Sequence, residues 1–343
     1  MRIALDATYS VDPRPTGIGI YSNALLIGLA NRYPDDIFYH CYRPKQYLKK
    51  PRNLRANVRQ KVLYSPLPLF GPELFHGVNQ RVDKRYAKRI VSTFHDLFVM
   101  TEQYSTPSFR ARFTEQAKVA AQNSDLIIAV SQFTAEQVNG LLGVDRSRIR
   151  IIPHGVSPPS PELWHKRENI ILTVGALQVR KNFVRLIDAF ERVSGDWRLI
   201  LAGARTGYRA GAVLERLRNS DCKDRIQLVG YQWPAELEAL YSRASLFVFP
   251  SLDEGFGLPV LEAMAHGVPV ITSNRPALVE VAGDAALFID PQNTEDLEYA
   301  LERFITEPAL RNEYIQRGLE RAKQYPWDRT IRATHEVYKE LLG

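Results

Sequence analysis

LFVFPSLDEGFGLPVLEAMAHGVPVIT, Leu246–Thr272, is the stretch on which the reading of the chain turns. Its apolar opening, Leu246 to Phe249, halts at Pro250 and reads as a buried strand reaching its carboxyl edge. A loop with Asp253, Glu254, Gly255, Phe256 and Gly257 follows, and then Leu258. Pro259 stands where a helix tolerates proline, in its first turn, and Val260 to Ala265 continue as a helix that Gly267 stops. Val268 to Thr272 is a second apolar strand. The loop presents bare amides at the positive end of a helix, a setting that suits an anion and phosphate above all. Glu254 precedes the helix and Glu262 lies inside it, so the two carboxylates are expected to flank the anion seat without filling it.

The chain around this unit has 343 residues, enough for two domains, with 45% hydrophobic and 24% charged residues, as in soluble globular proteins. Only Cys41 and Cys222 occur, far apart, which excludes a disulfide framework and a cysteine zinc site and favours a reducing compartment. Met1 to Asp6 enters a strand directly, without a signal-peptide core. No apolar run approaches the roughly 18 residues of a membrane span. The net charge of +7 is uneven: residues 1–165 hold 22 Lys and Arg against 13 Asp and Glu, residues 166–343 hold 23 against 25. The excess concentrates in Arg43 to Lys61, eight cations and no acid with Tyr47, Leu48 and Leu54 interleaved. Such a run is a solvated basic loop or a membrane-surface segment, each cation near an anionic leaflet contributing on the order of 1 kcal/mol. No nucleic-acid motif accompanies it, so no specific nucleic acid is expected.

Strands and helices alternate along the chain, which predicts doubly wound parallel sheets. Arg2 to Ala7 reads as a strand and Ile20 to Asn31 as a helix, with Gly17 and Gly19 in a loop between them that permits close approach to a phosphate. Arg89 to Phe94 is a strand that delivers His95 and Asp96 at its carboxyl end, where open parallel sheets bind ligands. Val156 to Arg167, with three prolines and no apolar period, reads as a linker. The resulting division is 1–156, a linker at 157–167, 168–325 and a closing segment 326–343. Beyond the linker, the strand Asn169 to Val174 leads through ALQVRKN to an amphipathic helix, so that Arg180 and Lys181 stand at a strand–helix junction suited to a diphosphate. Gly230 and Tyr231 open a loop after the strand Arg225 to Val229.

Two glutamates separated by seven residues, E-GFGLPVL-E, together with FHDL and the RK pair, resemble the EX7E pattern of glycosyltransferase family 4 over nearly the whole chain. The resemblance implies the GT-B architecture, an α/β fold of two facing Rossmann-like domains with an interdomain cleft. The first would bind the acceptor and the second the nucleotide sugar, and the last helix would return to the first domain. It implies hexosyl transfer with retention from a nucleotide diphosphate sugar. Lys181 and Arg180 with the amides of Gly255 to Gly257 would meet the departing diphosphate. Glu262 would hold the ribose hydroxyls, and Glu254 would bind the donor sugar or act as a covalent nucleophile. His95 and Asp96 would lie beside the sugar, Gly17 and Gly19 would face the phosphates, and Val229, Gly230 and Tyr231 would contact the base. Many members carry an arginine where this chain has Ala176, which leaves Arg180 as the second cation.

The forms ALQVRKN and FHDL are similar to bacterial transferases that build surface polysaccharides such as lipopolysaccharide O-antigen. They lean to GDP-mannose and to a glycan or polyprenyl-diphosphate-linked acceptor, at the cytoplasmic face of the membrane with Arg43 to Lys61 against it. UDP-glucose, UDP-N-acetylglucosamine, a nucleotide-sugar epimerase of the same fold and a non-enzymatic basic binding protein are the alternatives. The sequence has no D-x-D triplet and no histidine pair at metal spacing, so neither metal nor other cofactor is expected.

Overall fold

A computed structural model describes residues 1–64, 69–101, 104–160 and 166–343. The chain divides into two compact units, one of Met1–Thr101, Pro107–Gly155 and Trp327–Gly343, the other of Glu102–Thr106 and Val156–Pro326.

The first unit is built on a parallel seven-stranded sheet of β1 (Arg2–Asp6), β2 (Ile37–Tyr42), β3 (Val58–Val62), β4 (Leu74–Gly77), β5 (Arg89–Phe94), β6 (Leu126–Ala129) and β7 (Ile149–Ile151), in the spatial order β3-β2-β1-β4-β5-β6-β7. Side chains alternate between its two faces. Ile3 and Leu5 join the core shared with the helices Gly17–Arg32 and Trp327–Leu342, whereas Ala4 joins the core beneath the helix Pro107–Asn123. Covered on both faces, the strands read as apolar runs. The helices Gly17–Arg32 and Trp327–Leu342 cross at Gly28, where a Cβ would stand 2.2 Å from Ile331 Cδ1.

The second unit carries β8 (Glu168–Val174), β9 (Arg198–Ala202), β10 (Ile226–Gly230), β11 (Ala244–Phe249), β12 (Val270–Ser273) and β13 (Ala286–Ile289), all parallel, in the order β10-β9-β8-β11-β12-β13. Strand order reverses between β8 and β11 here, and between β1 and β4 in the first unit. At such switch points the loops leaving neighbouring strands diverge to opposite faces and leave a crevice at the carboxyl edge.

Several elements differ from expectation. The first helix begins at Gly17, with extended Thr16 as its N-cap, so Gly17 and Gly19 form its first turn and not a loop before it. Neither glycine has positive φ. A Cβ on Gly19 would approach Pro15 Cβ to 3.0 Å, whereas Gly17 has open space. The basic segment is not one loop, since it includes the short helix Pro44–Tyr47 and edge strand β3, which carries Arg59 and Lys61. Within the expected linker, Val156 pairs with Pro326 and its amide donates to Tyr325 O at 2.7 Å. The linker residues 161–165 lie outside the described residues.

Candidate active site

In the second unit the switch point gathers the loops that leave β8 and β11. After β8 the chain turns through Val179–Lys181 to Asn182, which adopts a left-handed conformation (φ 59°) and opens the helix Phe183–Phe190. Asn182 is among the residue types that tolerate this region. Its Nδ2 donates to Pro250 O at 3.1 Å and to Pro291 O at 2.7 Å, tying the loops after β8, β11 and β13 together. The Leu252 amide donates to Arg180 O at 2.8 Å.

This weave buries two cations beside one carboxylate. Arg180 Nη1 and Lys181 Nζ lie 2.7 and 2.6 Å from Glu254 Oε1, the three side chains being about nine-tenths buried. Arg180 also donates to Asp253 O, and Lys181 Nζ stands 4.4 Å from the centroid of the Phe249 ring. Burial alone would raise the Glu254 carboxyl, but the charges of Arg180 and Lys181 and their hydrogen bonds prevail and hold it down at about 2. Sequence spacing placed Glu254 at the flank of the anion seat. In this structure it is the counter-ion of both cations.

Gly257 then has φ 104° and caps the helix Leu258–Ala265, and a Cβ there would lie 2.4 Å from Leu278 Cδ2. Gly255 and Phe256 are buried beside it, with Leu258 half-buried. Glu262 projects from this helix and accepts a hydrogen bond from Tyr241 OH at 2.9 Å. Burial raises the Glu262 carboxyl, and the Tyr241 bond opposes that rise. Tyr241 is further held by His266, stacked at 5.1 Å, whose Nδ1 bonds Glu262 O at 2.8 Å.

At the sheet edge, Val229 and Gly230 end β10 and Tyr231 follows, its ring edge-on to Trp233 at 5.8 Å. Gly230 O accepts from the Gly203 amide at 2.7 Å, and Gln232 Nε2 donates to Val229 O at 3.0 Å. Arg205, which no local sequence signal marked, donates to Leu228 O at 2.9 Å and so brings a cation to this loop.

In the first unit β5 leads directly into buried His95 and half-buried Asp96. His95 Nε2 donates to Val78 O at 2.8 Å, because a carbonyl can only accept. That leaves Nδ1 as the acceptor for His154 Nε2 at 3.2 Å. Burial holds His95 down at about 4 and His154 well below the usual range, so both rings are neutral near pH 7. Both nitrogens of His95 are thus engaged inside its own unit. Tyr21 closes the arrangement with its ring edge-on to both imidazoles, and its hydroxyl bonds Thr93 Oγ1 at 2.9 Å. Of the residues singled out from sequence, the structure joins Arg180, Lys181 and Glu254 directly and sets Glu262 on the helix that follows. Gly17, Gly19, His95 and Asp96 belong to the first unit. Among the described residues, no cluster of three or more His, Cys, Asp or Glu side chains could hold a metal.

The model of the family described as Glycosyl transferases group 1 matches residues 159–321, and that of Glycosyltransferase Family 4 matches residues 26–158. The O-antigen chain mannosyltransferase B of Escherichia coli is 31% identical over 285 residues, which cover 78% of this chain and 74% of that protein. The serotype-specific mannosyltransferase WbdA of Escherichia coli is 29% identical over 74% of this chain but only 34% of its own length. Sucrose-phosphate synthase from Thermosynechococcus elongatus superposes with a TM-score of 0.80 at 22% identity, covering 100% of this chain and 99% of that one, which establishes a common GT-B fold. With family models spanning both halves and a relative aligned over most of its length, this chain belongs to glycosyltransferase family 4 and is a hexosyltransferase.

Proposed function

We propose that the protein transfers mannose from GDP-mannose to a hydroxyl of a glycan acceptor, with retention at the anomeric carbon and without a metal. The observation that carries this reading is the buried Arg180–Lys181–Glu254 cluster at the switch point of the second unit. As the bond from the anomeric carbon to the donor phosphate breaks, negative charge grows on the departing oxygen. Arg180, Lys181 and the amides of the Gly255–Gly257 turn would stabilise it in a site that excludes water. The acceptor oxygen forms the new bond on the same face, and its proton passes to the departing phosphate.

Glu254 would bind hydroxyls of the donor sugar through Oε2 while Oε1 stays with the cations. A carboxylate held down at about 2 by two cations is a weak nucleophile, which supports same-face attack over a covalent glycosyl-enzyme. Glu262, oriented by Tyr241, would accept the ribose hydroxyls, and the loop from Val229 to Tyr231 would meet the base. The neutral His95–His154 pair would give the sugar-facing end of β5 a fixed shape and no charge. The mannosyl donor is favoured by the relatives' names, both mannosyltransferases of Escherichia coli.

We further propose that the enzyme works at the cytoplasmic face of the membrane through the basic segment. Leu48 and Phe70 are 86% and 77% exposed close to its cations, a combination suited to an anionic bilayer. No helix among the described residues is long and apolar enough to cross one.

The deciding experiment is a donor panel in EDTA: GDP-mannose, UDP-glucose, UDP-N-acetylglucosamine and dTDP-rhamnose, with release of nucleoside diphosphate followed by mass spectrometry. Release from GDP-mannose alone, lost in Glu262→Ala and Lys181→Ala, is the expected result. Activity that EDTA abolishes and Mn²⁺ restores would overturn metal independence. Conversion of donor to an epimer with no nucleotide released would replace the transferase reading with an epimerase.

A further inference from the structure

The first unit has its own switch point, between β1 and β4, and a cavity of about 260 Å³ lies by the segment leaving β4. Arg81, Phe109, Arg112, Phe113 and Gln116 line it. Four of these come from one face of the helix Pro107–Asn123, at the i, i+3, i+4 and i+7 spacing that aligns side chains along a helix. Arg81 faces them from beyond β4, four residues past Gly77.

The cavity is chemically one-sided. No acid is among its five lining residues, and among the described residues neither Arg81 nor Arg112 has an ion-pair partner. Asp6, at the end of β1, is within electrostatic reach of Arg81, but it already accepts from the Thr8 amide at 3.0 Å, and burial favours its neutral form. Two guanidiniums lining one cavity present forked donors that match phosphate oxygens. The floor is aromatic. Phe113 packs on the core, Phe109 stacks on it at 6.3 Å, and the Arg112 guanidinium lies 5.4 Å from the Phe109 centroid.

We propose that this cavity seats the diphosphate of a lipid-linked glycan acceptor between Arg81 and Arg112, with the first carbons of the lipid chain against Phe109 and Phe113. This rests on the transferase reading above and adds to it the class of acceptor and the residues that select it. A glycan without the diphosphate forgoes the charged hydrogen bonds to the two guanidiniums and binds more weakly.

Two measurements on the full chain test the assignment, using the double variant Arg81→Gln/Arg112→Gln. Both side chains lie on exposed residues, and an unchanged calorimetric melt, together with unchanged GDP affinity, serves as the check that both units of the variant are folded. First, inorganic pyrophosphate and a short alkyl diphosphate are titrated calorimetrically into protein saturated with GDP (or UDP, should GDP not bind), so that the donor's own phosphate seat is filled. Saturable binding of one equivalent, tighter for the alkyl diphosphate and lost in the variant, is expected. Absence of binding to the saturated wild type overturns the site, and equal affinity for the two ligands overturns the lipid part of it. Second, acceptor KM is compared for one glycan on a short alkyl diphosphate and on a neutral alkyl chain. The diphosphate form is expected to have a KM at least tenfold lower, an advantage the variant loses while donor KM stays unchanged. Equal KM values, or a variant that weakens both acceptors alike, overturn the proposal. If no donor is cleaved, the transferase reading fails, and the calorimetry still decides whether the cavity is a diphosphate site.

Discussion

Glu254 has two neighbours of opposite charge and little water, and that fixes what its removal does. In Glu254→Gln the cations remain buried without a counter-charge, a situation that costs about 3–5 kcal/mol and lowers Tm by roughly 10 °C. Added GDP should restore part of the loss, since its phosphates take the vacated role, and calorimetric melting with and without GDP would show it. A melt unchanged by the substitution would contradict the pairing. The acid limb follows from the same geometry. The carboxyl ionises near 2 in the fold against its ordinary 4.5, so its contribution, on the order of 3 kcal/mol, is complete above about pH 4.5 and vanishes as pH falls toward 2. Wild type and Glu254→Gln should therefore converge in stability across that window. Tyr241 supports a second prediction. Its hydrogen bond holds Glu262 lower than burial alone would, so Tyr241→Phe raises that carboxyl further. Donor KM should rise about tenfold at neutral pH, the worth of a hydrogen bond to a charged group, and the loss of donor binding on acidification should begin at higher pH. A pH series of donor KM checks both, and identical profiles for the two proteins would remove Tyr241 from the site. Neither contact was legible in the sequence. Lys181 and Glu254 are 73 residues apart and Tyr241 and Glu262 are 21 apart, and only the strand order brings each pair together.

At the scale of elements, the junction of β11 with the helix Leu258–Ala265 depends on Gly257. An alanine there must hold φ 104°, costing about 1–2 kcal/mol, and its Cβ overlaps Leu278, adding about 1–3 kcal/mol. Urea titration of Gly257→Ala in the wild type and in Leu278→Ala separates the two effects. In the second background only the backbone strain should remain, and an undiminished cost there would mean that Leu278 does not meet the new methyl group. Elements like this one were readable in advance because local signals agree: an apolar run, a proline or glycine stop, a tolerated Pro259, a glycine at the cap. All six strands of the second unit follow such runs. The first unit was less legible where side chains must satisfy two demands. β3 is an edge strand bearing Arg59 and Lys61, β2 includes His40 and Cys41, and β4 spans only Leu74–Gly77, too short for a period to emerge. The start of the first helix was misread because two glycines suggest a loop. Extended Thr16 begins the helix, and the packing of Pro15 and Tyr9 against Gly19 calls for the second glycine.

Over the whole molecule, the two units differ in how they are assembled from the chain. Nearly all of the second runs without interruption from Val156 to Pro326, with its own core of Phe183, Phe190, Leu246, Val248, Leu297 and Phe304 among others. The first requires both ends of the sequence. Its closing helix, Trp327–Leu342, inserts Ile331 against Gly28, and its Tyr338 hydroxyl lies 2.6 Å from Nδ1 of buried His76, which in turn meets Thr93. His335 stacks on Tyr33 at 3.4 Å and bonds Asp36 at 2.6 Å, and Thr330 donates to Pro153 O at 2.8 Å. Burial of Ile331, Val337 and Tyr338 contributes roughly 2 kcal/mol each, comparable in sum to the whole stability of an ordinary domain. A chain ending at Pro326 therefore leaves the first unit with an open apolar face, with Asp36 held by the Met1 ammonium alone and His76 by Thr93 alone. We expect residues 156–326, expressed alone, to fold cooperatively and to bind GDP within about tenfold of the full chain, because Arg180, Lys181, Glu254 and Glu262 all lie inside that span. Residues 1–155 alone should lack a cooperative melt and regain one on addition of a peptide of residues 327–343. Near-ultraviolet circular dichroism and calorimetry on the two fragments decide the matter. A native-like melt of 1–155 without the peptide would show that the helix is an accessory to that unit, and failure of 156–326 to bind GDP would mean that the phosphate site needs more than the residues assigned to it.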